Sequence, residues 1–185
     1  MIDSKEAAAA LDDIEQMTRR VRRSQVYNLS SLMLMLWGGL VFAGNLVTYL
    51  WPRYAGSAWI IVWALGFAGS IAIGAAHKAS IGIRSFDARI AAAFVVFIGF
   101  GFVFLCVIGT PHLTPRQLST FWPTYYMMAY TLTGLWFGPA FVVIGLAITA
   151  LTLIGYFLIG PWFDLWMAVV NGGGLMLAGL WMRRN

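Results

Sequence analysis

Apolar residues fill six long runs of this chain, near residues 28–50, 57–76, 89–109, 120–138, 140–159 and 162–182. Each approaches the roughly 20 residues that an α-helix needs to cross the hydrocarbon core of a bilayer. The connections are short: Trp51-Pro52-Arg53-Tyr54, His77 to Asp87, Gly109 to Ser119, then Gly138-Pro139 and Gly160-Pro161, where a glycine stop meets a proline suited to a first helical turn. Such links force antiparallel neighbours. The pattern predicts an all-α fold, a polytopic membrane bundle of six transmembrane helices in three antiparallel hairpins.

Residues 1–25 break the pattern and predict an amphipathic cytoplasmic helix, preceding a transmembrane domain over 26–185. Asp3 or Ser4 is placed to cap it, and Ala7, Ala10, Ile14, Met17 and Val21 recur at three and four residues to give a narrow apolar stripe. Asp12, Asp13 and Glu15 precede Arg19, Arg20, Arg22 and Arg23, an order that suits the helix macrodipole. It also sets the four arginines at the lipid headgroups as a membrane anchor. The stripe has the spacing that a partner helix would read, over barely two heptads.

Composition agrees with the runs. The chain is 61% hydrophobic and 10% charged, with a mean hydropathy of +0.79, outside the range of soluble globular domains. The net charge of +5 does not point to nucleic acid, because the bases sit in short segments between apolar runs, where they act as orientation signals. With the N-terminus inside, Lys5, Arg19, Arg20, Arg22, Arg23, Lys78, Arg84, Arg89, Arg183 and Arg184 are cytoplasmic, against Arg53 and Arg116 outside. The expected place is a bacterial inner membrane with both termini in the cytoplasm. The first run is too long for the core of a signal peptide and is expected to remain as a span. The single cysteine, Cys106, excludes an intrachain disulfide and a cysteine-based metal cluster.

In lipid the interior face of a helix is marked by small and polar residues, since burying leucine gains nothing there. Asn45, Tyr126, Tyr130, Thr152, Tyr156 and Asn171 all fall in the outer half of the membrane, with Asp164 at its mouth. They are the candidate pocket, read either as interhelical hydrogen bonds or as the lining of an outward-open solute site. Gly66, Ser70, Gly74, Gly134, Gly138, Gly172, Gly173, Gly174 and Gly179 are the candidate helix-packing positions. The run Asn171-Gly172-Gly173-Gly174 is the most unusual of these, read as close helix contact or as a break of the kind transporters use at a binding site. Asp164 also suits capping of the sixth helix. The third run is nearly featureless and is expected to face lipid.

Catalytic chemistry is absent from the pattern: no HExxH, GxSxG or phosphate-binding loop occurs, and His77 and His112 fall in loops on opposite sides of the membrane. No enzyme, cofactor or metal is expected. Gly155-Tyr156-Phe157, Pro161-Trp162-Phe163 and the ending Asn171 to Arg184 resemble small six-span bacterial inner-membrane proteins of unassigned function, similar in layout to the acid-resistance membrane protein class. That resemblance implies the span arrangement and carries no site residue. The expected function is a non-enzymatic accessory or stress-response membrane protein. Its expected partners are the bilayer and a cytoplasmic or membrane protein met through residues 1–25, with self-association left open; the alternative is a small-solute channel or transporter.

Overall fold

The computed structural model describes residues 4–81, 88–109 and 112–184, with side chains for Asp13, Met17, 27–77, 79, 92–109 and 112–184. Within these residues the chain is helical throughout, with no strand. The helices are α1 (Ser4–Leu50), α2 (Ala55–Ile81), α3 (Ala88–Ile108), α4 (Pro115–Phe137) and α5 (Pro139–Leu158), followed by α6 (Phe163–Met167), a π-helical segment (Ala168–Gly173) and α7 (Gly174–Arg184) in one continuous rod. Four stretches are both long and apolar enough to cross a membrane: Tyr27–Leu50, Pro52–His77, Pro139–Leu158 and Phe163–Arg184.

Two boundaries differ from the pattern of apolar runs. No interruption separates residues 4–25 from the first run, since α1 continues through both for 47 residues; residues 1–3 lie outside the described residues. Helix α4 begins at Pro115 rather than near residue 120, because Thr114 and Gln117 form a reciprocal capping box. The Thr114 backbone N–H donates to Gln117 Oε1 at 2.8 Å, and the Gln117 N–H donates back to Thr114 Oγ1 at 3.2 Å. A polar first turn is thus part of the helix. The side chains of Arg19, Arg20, Arg22 and Arg23 lie outside the described residues, so their anchoring role is untouched by the structure.

The closest helix pairs are α4 with α5 and α1 with the α6–α7 rod, and α1 also packs on α2. Glycine sets both of the closest contacts. A methyl added at Gly38 would come within 2.8 Å of the Gly172 carbonyl oxygen, and one at Gly179 within 2.8 Å of the Ser31 carbonyl. One at Gly172 would lie 2.5 Å from the Phe42 Cα. Between α4 and α5, a methyl at Gly134 would lie 2.6 Å from the Val142 backbone nitrogen and one at Gly145 2.8 Å from the Met127 carbonyl. The chain reverses between them at Gly138, whose φ of 130° favours glycine. The pairing thus runs through α1 and through α4–α5, while α3 meets α4 through aromatic rings.

The outside of the bundle is apolar and parts of the inside are polar. Val107 is 80% exposed and Leu158 76%, whereas Ser31 and Thr152 are completely buried. This is the distribution expected when the surrounding solvent is hydrocarbon. In α3 only Gly101 and Leu105 are buried among the described side chains, in keeping with a lipid-facing helix. Exposed Trp162, Trp51 and Tyr54 gather at one end of the bundle, and Trp136 and Trp181 at the other.

Gly172 and Gly173 are adjacent glycines with opposite surroundings, since nothing lies within 4 Å of a methyl added at Gly173. Gly172→Ala is expected to destabilise the bundle by about 1–3 kcal/mol through overpacking. Gly173→Ala is expected to be neutral or to stabilise by about 0.5–1 kcal/mol, through reduced freedom of the unfolded chain. Unfolding of the two variants in detergent micelles checks the contrast.

Candidate functional site

Asn171 lies in the π-helical segment, which a run of one amide and two glycines favours by its poor α-helix propensity. Its Nδ2 donates to Thr152 Oγ1 on α5 at 3.2 Å and to Met167 Sδ one turn earlier at 3.3 Å. Both protons of the amide nitrogen are engaged inside the bundle. Asn45 is buried as well, and its Nδ2 donates to the Val41 carbonyl of its own helix at 2.9 Å. The tight wall behind Asn171 is Phe42 of α1, which admits only Gly172 at that position.

The packing glycines divide on inspection. Gly172, Gly179 and Gly134 stand in close contact, and Gly66 faces the Trp37 ring, whose Nε1 donates to Ser70 Oγ at 3.1 Å. Gly138 serves the turn. A methyl at Gly174 would make ordinary contact with Ile148 at 3.7 Å, while Gly173 and Gly74 have open space where a side chain would stand. At Gly74 and Gly173, where close packing was expected, no neighbouring helix lies within 4 Å of the position a Cβ would take.

Tyr156 and Asp164 belong to a second group, at the far end of α5. Its centre is Arg116, in the first turn of α4. Helix α5 ends before Gly160-Pro161, which leaves its last carbonyls without intrahelical partners. Arg116 Nη2 donates to the Gly155 carbonyl at 3.0 Å and the Tyr156 carbonyl at 2.6 Å, and also to Ile159 O. The guanidinium lies 4.6 Å from the Phe163 ring centroid and 5.6 Å from that of Tyr156, and it acts electrostatically on the Asp164 carboxylate. A cation at a helix C-terminus is also favoured by the dipole. Trp166 closes the joint over Gly155 and donates from Nε1 to the Leu151 carbonyl at 2.9 Å.

Arg116 is the residue that the sequence pattern passed over, having counted it only as a base on the outer side. The available signal was the orphaned end of α5 at Gly160-Pro161, which needs a donor from somewhere.

Tyr126 belongs to a third group. Its ring is 6.0 Å from Trp63, 5.5 Å from Phe97 and 6.2 Å from Trp122, and its hydroxyl is buried with no hydrogen-bond partner. The neighbouring Tyr125 is satisfied, donating to the Phe97 carbonyl at 2.8 Å. Tyr130 packs on Phe141, 5.9 Å away, and both it and Tyr126 lie against the core cluster that includes Tyr27, Met127 and Met182. The seven candidate residues thus distribute over a buried amide–hydroxyl pair, a guanidinium-capped helix end and an aromatic seam, with Asn45 and Tyr130 held separately. Among the described residues no three His, Cys, Asp or Glu side chains come together in a metal-binding group.

Arg116→Met should lower stability by about 2–4 kcal/mol, since it uncaps several carbonyls at once and leaves Asp164 without its cation. A double-mutant cycle of Asn171→Leu and Thr152→Val should give a coupling near 0.6 kcal/mol, the usual size of an interhelical hydrogen bond in a membrane. Chemical unfolding in micelles measures both. No protein-family model, curated protein or solved structure matches this chain.

Proposed function

We propose that this chain is a non-enzymatic accessory or stress-response protein of a bacterial inner membrane, which presents a rigid cytoplasmic helix to a protein partner. The observation that carries the reading is the continuity of α1, which extends from Ser4 to Leu50 without a break. Residues 4–26 then project about 35 Å beyond the first span at 1.5 Å per residue. A helix continuous with a span transmits tilt or rotation between membrane and cytoplasm, which a flexible tether does not. Met17, on the apolar stripe, is 67% exposed and free to meet a partner.

In this reading all six rods cross the membrane as three consecutive antiparallel pairs, N-in and C-in. Helix α4, at 23 residues, is long enough to span, and it exposes Met128, Leu132, Leu135 and Trp136 along its outer side. The levels of the rods support it: Tyr49 stacks on Trp162 at one end, and Tyr27 meets Phe141 edge-on at the other. A solute pathway would need free amides and hydroxyls facing an opening. The bonds of Asn171 and Asn45 within the bundle favour the accessory role instead.

Two experiments test this. In a Cys106→Ala background, single cysteines at Asp13 and Ser57 should label from opposite sides of the membrane; labelling of both from the outside sinks the orientation. Inserting Gly-Gly between Ser24 and Gln25 should abolish a site-specific crosslink from position 17 to a discrete partner in intact cells, while the melting of the bundle moves by less than about 2 °C. A crosslink that survives both this insertion and deletion of residues 4–22 rules out the helix as the contact.

A further inference from the structure

Two neighbours pack on α1, and a third side of the helix is left open. Inside the bundle α2 and the α6–α7 rod are its main neighbours. Trp37 donates to Ser70 and Trp59 to Thr48, an antiparallel register that brings Ile81 level with residue 26. Gly38 beside Gly172 and Gly179 beside Ser31 bring Arg184 to the same level. Both neighbours therefore stop there, and residues 4–25 stand beyond them.

At about 100° per residue, Ile14, Val21, Leu32, Gly39, Ala43 and Leu50 share one face of α1, within an arc of about 40°. In the span this face is bare: nothing lies within 4 Å of a methyl added at Gly39, Ala43 is exposed and Leu50 is 50% exposed. Beyond the span it becomes the apolar stripe of residues 7–21, where Met17, at its edge, is 67% exposed. Lipid covers the first half at no cost. The second half stands in water, where burying the stripe is favourable. A helix that runs beside α1 from the cytoplasm into the bilayer covers both halves at once.

We propose that this helix is α1 of a second copy, paired in parallel about a two-fold axis along the membrane normal. Copies inserted in one membrane run the same way, so like residues meet, and Gly39 and Ala43 let the two backbones approach. Ile14 and Val21 take the a positions of the stripe, where β-branched residues favour two parallel strands. Asp13 and Arg20 then flank the seam opposite Thr18 and Gln25 of the second copy, so no like charges oppose across it. Arg19 and Arg23 fall on the opposite face, clear of the seam. Two heptads are short for a coiled coil, and a contact of small residues is weak by itself; one continuous helix joins them. This pairing rests on the accessory reading, in which α1 stands upright, and names what meets its stripe.

The test is oxidative crosslinking of the full-length protein in isolated membranes, with single cysteines in a Cys106→Ala background. Met17→Cys and Ala43→Cys should each give a dimer, shown to hold two copies of the chain by co-expressing two tag lengths. Arg19→Cys and Ile71→Cys, off the face, should give far less. Gly39→Leu should weaken association of fluorescently labelled copies in liposomes about tenfold. Its melting temperature should not fall, because the space at Gly39 is open within one copy. Gly99→Leu, equally open but on α3, should leave association unaltered. Equal crosslinking on and off the face, no dimer from Met17→Cys or Ala43→Cys, or unaltered association in Gly39→Leu overturns the pairing. A photocrosslinker at position 17 reports separately on the reading beneath it: capture of a different protein alone defeats the pairing and leaves the accessory role, and capture of no protein defeats both.

Discussion

The close approach of α1 to the α6–α7 rod is the contact on which the rest of the bundle depends. In hydrocarbon no gain comes from hiding leucine, so helices associate through the number of atoms they bring together and the polar groups they satisfy. Gly38, Gly172 and Gly179 bring two backbones near enough that a methyl at any of them would collide. Residues 172 and 179 are one heptad apart, and so are Ser31 and Gly38 on α1, so the seam repeats along a common face. The π-helical segment falls within it. By shifting the helix register there, it turns Asn171 toward Thr152 on α5 while Gly172 faces Phe42 on α1, so one irregular turn ties α1 and α5 to the same rod.

Polar satisfaction accounts for the ends of the bundle as glycine accounts for its middle. Helix α5 stops early at Gly160-Pro161, and its exposed carbonyls lie at the level where α4 begins. A cap formed by Arg116 binds these two ends together and sets the ring of Phe163 against a cation. The same economy appears at Trp37 with Ser70 and at Trp59 with Thr48, where indole N–H groups donate across helices. Aromatic residues here are both spacers and donors.

How much of this was legible in the sequence depended on the distance over which each feature is determined. The existence and near extent of the helices followed from apolar runs, because length and hydropathy are local. The start of α4 did not, since Thr114, Arg116 and Gln117 are polar and look like loop until the capping box is recognised. Asn171 was legible as a buried amide needing a partner, and Thr152 was already in the set, though nothing in the pattern joined them. Glycine was legible as small but not as facing anything: Gly172 and Gly173 are equivalent in sequence and opposite in contact, because only the position of α1 tells them apart. Arg116 acts on carbonyls about 40 residues away, a relation that no local pattern contains.

The aromatic seam shows what the glycine rule leaves out. Where α1 meets the last rod, contact is close. Where α3 meets α2 and α4, large rings hold the backbones apart, and a methyl at Gly101 of α3 would come within 2.9 Å of the Trp122 ring. Tyr125 places its hydroxyl on a backbone carbonyl of α3, which fixes the helix at one point. One residue further on, Tyr126 carries the same group with no acceptor. Phenylalanine would fill that space equally well without the cost of desolvating a hydroxyl.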